Sequence, residues 1–107
     1  MTTLAPALDL LDTVEFDDDG FMADANDWTP EIAAEIADVL GIGLTDRHWQ
    51  VINYARGVHE INGESPTLRQ ITTNTTVSMK EIYQLFPGGP AKIAAKIAGL
   101  KKPTGCI

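Results

Sequence analysis

A mainly α-helical fold with a small N-terminal β-hairpin, a helix-turn-helix-like core and a flexible C-terminal arm is what this 107-residue sequence predicts. Three observations lead there. A succession of Thr, Ser and Pro residues stands where helices begin, one Asp-Asp-Asp-Gly turn lies between two apolar flanks, and Pro103 and Gly105 prevent the tail from continuing the last helix. With 44% hydrophobic residues the chain can bury one modest core, so residues 1–107 are read as one domain with 99–107 as its mobile arm.

The hairpin is expected where Thr13-Val14-Glu15-Phe16 and Phe21-Met22-Ala23 flank Asp17-Asp18-Asp19-Gly20. Thr29 caps a helix that Pro30 opens and that runs to about Leu40, with Ile32, Ile36, Val39 and Leu40 as its apolar face. Thr45 caps a second and longer helix reaching Ile61, with 51, 54, 55, 58 and 61 on one face; Gly57 within it is a weak point or a close-packing site. A short helix from Thr67 to about Asn74, a turn through the threonines, and a helix capped by Ser78 and running to Phe86 form the helix-turn-helix-like pair. Pro90 opens the last helix, on which Ile93 and Ile97 make a narrow apolar stripe that predicts shallow docking.

Charge divides the chain. Residues 1–46 hold twelve acidic and no basic residues, while 47–107 hold all eight basic and three acidic ones; -12 and +5 give the net -7. An acidic protein whose would-be recognition helix carries only Lys80 as a base is a poor match to a nucleic-acid binder, although a helix-turn-helix regulator is the alternative of another class. No apolar run is long enough to cross a bilayer and no secretory signal is visible, so a cytoplasmic protein is expected.

Few residues invite chemistry. His48 and His59 lie eleven apart on one helix, ~16 Å along its axis, and cannot share a metal ion. The three aspartates lack the alternation and closing glutamate of an EF-hand, and Pro87-Gly88-Gly89-Pro90 lacks the lysine and hydroxyl of a phosphate loop, so no metal or cofactor is expected. Cys106 is the one cysteine, and it stands on the tail. Its thiolate could attack an activated sulfur and pass that sulfur on, with Lys101 and Lys102 supplying cations and Pro103 and Gly105 the hinge; a tail cysteine without a role fits the same residues.

The runs Gly20-Phe21-Met22, Asp27-Trp28, Leu44-Thr45-Asp46-Arg47-His48-Trp49, Tyr83-Gln84-Leu85-Phe86-Pro87-Gly88-Gly89-Pro90-Ala91-Lys92, Lys96-Ile97-Ala98-Gly99-Leu100 and Lys102-Pro103-Thr104-Gly105-Cys106 closely resemble the DsrC/TusE family over nearly the whole chain. The resemblance implies a sulfur-relay protein, a persulfide carrier of sulfurtransferase type with Cys106 as the reacting residue. DsrC-type members act with dissimilatory sulfite reductase through that cysteine and a second one eleven residues earlier. TusE-type members take persulfide sulfur from the TusBCD complex and pass it toward MnmA for tRNA thiolation. Here the earlier position is Ala95, so the one-cysteine pattern resembles TusE, with TusBCD-like and MnmA-like proteins, or sulfite reductase subunits, as the implied partners of a monomer.

Overall fold

Helices α1, α3 and α4 begin where a side chain satisfies an amide that the helix itself leaves open. In the computed structural model, which describes residues 10–103, α1 spans Pro30–Val39 and the Thr29 hydroxyl accepts the Ile32 amide at 3.2 Å. The second helix, α2, spans Asp46–Asn62, where the Thr45 amide donates to His48 Nδ1 at 3.0 Å; it stops at Gly63, whose φ of 76° is left-handed. A reciprocal capping box between Thr67 and Gln70 starts α3 (Leu68–Asn74), and Ser78 caps α4 (Met79–Leu85). Pro90 opens α5 (Pro90–Ile97) after Gly89.

The last helix is the centre of the fold, not a shallow addition to it. It packs against α1, α2 and α4, and Ala91, Ala94, Ala95, Ile97 and Ala98 are all buried. Counting only Ile93 and Ile97 as apolar misses the alanines, whose small side chains let neighbouring backbones come close and which lose almost no rotamer entropy on burial. Around α5 the core is filled by Phe21, Ile32, Ile36, Val51, Ile52, Ile71, Val77, Ile82, Phe86 and Leu100.

Three further expectations are corrected. The β-hairpin does not form: among the described residues there is one antiparallel bridge, Phe16 with Met22, and no strand. The Asp17 carboxylate takes the amides of Asp19 and Phe21, both at 2.9 Å, and folds a local turn, while the backbone pairing ends at two bonds, Asp17 N to Phe21 O and Ala23 N to Glu15 O. Phe21 and Met22 are both buried, unlike the one-sided burial of a hairpin with a solvated face, and residues Leu10–Thr13 form a 3-10 turn. On α1 the buried face is Ile32, Ala33, Ile36 and Ala37, whereas Val39 is 72% exposed and Leu40 is exposed as well. On α2, Val51, Ile52 and Ala55 are buried, but Ile61 is 84% exposed, and Gly57 faces open space with no close packing.

α3, the turn over 75–78 and α4 make the helix-turn-helix-like pair, tied to α2 by Arg47. Its guanidinium donates to both oxygens of Glu81 at 2.6 and 2.8 Å and to the Thr76 hydroxyl and carbonyl at 2.9 and 3.0 Å. This hydrogen-bonded guanidinium holds the Glu81 carboxyl below its ordinary range. A depressed folded pKa stabilises the fold above the ordinary carboxylate pKa, and that contribution is lost as pH falls through the folded value. The stability advantage of the wild type over Glu81→Gln is therefore expected to be full above pH ~5 and to shrink as pH falls below the ordinary carboxylate pKa, read from urea midpoints across that range. A pH-independent difference would show that the ion pair contributes nothing.

Candidate functional site

The candidate site is the root of the C-terminal arm, where the chain leaves α5. Gly99 takes the left-handed φ of 72° that ends the helix, its amide donating to Lys96 O at 3.2 Å and the Leu100 amide to Ala95 O at 2.9 Å. This pair of bonds is a Schellman motif, and it turns Leu100 back into the core, where it is 1% exposed. The absence of a side chain at Gly99 is required twice, by the backbone angle and by Trp28. A β-carbon there would lie 2.7 Å from Trp28 Cγ and 2.8 Å from its Cβ, closer than packed atoms come.

Two side chains from distant parts of the sequence hold the carbonyls that the end of α5 leaves open. Trp28 donates from Nε1 to Ile97 O at 2.8 Å, and Arg56 donates from Nη1 to Ala98 O at 2.8 Å and from Nη2 to Ala25 O at 3.2 Å. The guanidinium carbon sits 4.1 Å from the centre of the Trp28 ring, so the two residues brace each other. Burial draws the Arg56 pKa down and the charge of Glu60 opposes it; the group remains a cation, since a guanidinium does not lose its proton in proteins.

The chain then runs along the surface. The Ser65 hydroxyl donates to Lys101 O at 3.1 Å, and Pro103 is buried. The Lys102 ammonium pairs with Asp19 at 3.7 Å in an exposed contact worth at most ~1 kcal/mol. Residues 99–103, expected to begin the arm, therefore lie against the body. Gly105 and Cys106 fall outside the described residues, as do Thr104 and Ile107.

Two grooves border the root. One, of about 270 Å³, is lined by Val58, Asn62, Ser65, Pro66, Ala91 and Pro103, among others. The other, of about 590 Å³, includes Asp24, Asn26, Arg56, His59, Glu60 and Lys101. Lys101 thus faces a groove while Lys102 is drawn toward the acidic turn. Ala95 is buried on α5, in a wall shared with Ala55, Pro66, Ile71 and Leu100.

The two histidines are separate, as their spacing requires. His48 is buried, receives the Thr45 amide at Nδ1 and bonds from Nε2 to Leu85 O at 2.9 Å, so it is a structural link between α2 and α4. His59 lines the larger groove near Arg56. Sequence reasoning missed Trp28 as an anchor. The only signals available were an arginine set among the apolar positions of a helix and a tryptophan in the Asp27-Trp28 pair. Among the described residues, no helix is long and apolar enough to cross a membrane.

Comparison with known proteins gives a family and a set of relatives. A family model described as "DsrC like protein" matches residues 11–107. The chain is 40% identical over 94 residues to "Sulfite reductase, dissimilatory-type subunit gamma" of Nitratidesulfovibrio vulgaris, covering 87% of this chain and 90% of that one. It is 36% identical over 102 residues to "Sulfurtransferase TusE" of Pectobacterium atrosepticum, covering 89% and 94% respectively. Among solved structures, the NMR structure of DsrC from Allochromatium vinosum superposes with a TM-score of 0.77 at 37% identity, over 88% of this chain and 90% of that one.

Proposed function

The chain belongs to the DsrC-like protein family, and from that premise we propose that it is a sulfur-relay protein whose Cys106 alternates between thiol and persulfide. The observation that carries this reading is the anchored root: α5, Trp28 and Arg56 hold residues 99–103 against the body, three residues before the only thiol. The Cys106 thiolate attacks the outer sulfur of a donor's persulfide; the new S–S bond forms as the donor's S–S bond breaks, and the donor leaves as a thiolate. No external oxidant or reductant is consumed. The reverse displacement, by an acceptor's thiolate, hands the sulfur on.

Ala95 bears on which of the family's two branches the chain follows. With one cysteine in the chain, neither an intramolecular disulfide nor a trisulfide bridging two arm cysteines is available, which favours a TusE-like relay with TusBCD-like donors and MnmA-like acceptors. A reducing, cytoplasmic setting suits a thiol that must stay free, and the monomer is the form proposed. The 40% identity to a sulfite reductase gamma subunit supports the second reading, a partner of dissimilatory sulfite reductase, in which Cys106 acts without an internal second thiol.

Intact-mass measurement after incubation with a persulfide donor tests the reading. The wild type is expected to gain one sulfur atom that dithiothreitol removes, and Cys106→Ala is expected to gain none. Equal labelling of the two proteins, or none of the wild type by any donor, would refute it.

A further inference from the structure

The apolar stripe of α2 runs out of cover before the helix ends. Val51 and Ala55 are buried, Tyr54 and Val58 are half-buried, and Ile61, the next position on that side, is 84% exposed. α3 meets the stripe at Tyr54, whose hydroxyl accepts from Asn74 at 3.0 Å, and Gln70 borders the groove at Val58. Ile61 is the most exposed large apolar side chain among the described residues, and it stands next to the arm: Val58 and Asn62, three residues before it and one after, line the same groove as Pro103.

Resting on the sulfur-relay reading, we infer that the last turn of α2, centred on Ile61, is the docking surface for the thiol-bearing protein that exchanges sulfur with Cys106. Covalent geometry carries the argument. With Pro103 seated, three residues reach at most ~10 Å, so a partner's cysteine has to come within about that distance of the groove. A specific protein interface covers ~800 Å² on each side, a disc of ~16 Å radius, which is wider than the tail's reach. A partner that attains Cys106 therefore also covers the ground around Pro103, and the most exposed apolar residue beside that groove is Ile61. The rim mixes Glu60 and Glu64 with Lys101 and Lys102, which suits a protein surface of mixed charge better than a polyanion or an anionic bilayer.

The test compares sulfur uptake by full-length wild type, Ile61→Asp and Val39→Asp from glutathione persulfide and from a persulfide-loaded TusBCD complex. Both substituted side chains are largely exposed, so both variants are expected to fold, with Val39→Asp controlling for an added surface charge. Ile61→Asp is expected to raise KM for the protein donor about tenfold at unchanged kcat, to leave uptake from glutathione persulfide unaltered, and to differ from an unaffected Val39→Asp. Equal effects of the two substitutions, or none from Ile61→Asp, would overturn the inference. So would uptake by the wild type from the small donor alone, which would leave Cys106 standing as a carrier; absence of uptake from both donors would instead remove the reading beneath. A dimer that Ile61→Asp splits, or faster transfer after deletion of residues 1–9, would assign this surface to a second copy or to the N-terminus and overturn it as well.

Discussion

Replacing Gly99 with alanine is expected to destabilise the protein by ~2–5 kcal/mol, lowering the thermal midpoint by roughly 8–25 °C. Two costs combine. An L-residue held at the left-handed φ of Gly99 loses ~1–2 kcal/mol. The added carbon would also meet the Trp28 side chain, and moving that indole breaks its bond to Ile97 O, leaving a buried carbonyl unpaired at ~1–3 kcal/mol. The backbone cost alone would be a modest loss; the collision with Trp28 makes it a large one. Gly57→Ala is the matching control. Gly57 is helical and exposed, and a β-carbon added there would meet no neighbour within 4 Å, so alanine is expected to stabilise by ~0.5–1 kcal/mol. Urea denaturation of both variants followed by circular dichroism measures the pair, and equal small losses would show that the Trp28 contact carries no weight. Gly99→Ala is also expected to release the amides of Gly99 and Leu100 to faster hydrogen exchange, which reports the loosening of the arm's root directly.

What was legible in the sequence follows the range of the forces involved. Helix starts were readable because Thr29 and Ser78 act on amides three residues away, and both hydroxyls accept the bonds expected of them. The hairpin was misread because a turn signature says nothing of what its flanks must do: Phe21 and Met22 are both needed in the core, and that demand overrides pleating. Val39, Leu40 and Ile61 sit on the expected faces of α1 and α2, but a helical period cannot say where a neighbouring helix stops covering that face. At the candidate site, the proline of the arm was visible as local chemistry. The anchors were not, since Trp28 meets Ile97 across 69 positions and Arg56 meets Ala98 across 42, and no short-range pattern encodes either contact.

Phe86→Ala is expected to cost ~3–5 kcal/mol, enough to leave a domain of this size marginal at 25 °C, since total stability is of order 5–15 kcal/mol. Phe86 is fully buried at the end of α4 and lies edge-on to His48, with ring centres 5.1 Å apart. His48 in turn joins the Thr45 amide to Leu85 O, so the ring pair fastens the start of α2 to the segment that leads into α5. Removing the phenyl ring leaves a cavity that the helices cannot close without moving His48 off both of its partners. His48→Ala is expected to cost less, ~2–3 kcal/mol, because water admitted from the helix end can take over the Thr45 amide even where Leu85 O stays shielded. A double-mutant cycle separates the two: a coupling of ~0.5–1.5 kcal/mol is expected from the edge-on contact, measured as the shortfall of the double variant from the sum of the single ones. Additive losses would mean that the rings stabilise the protein independently. In that case the contact between the two rings would add nothing to the link from α2 to α4, which would rest on the His48 bonds to the Thr45 amide and Leu85 O and on Arg47.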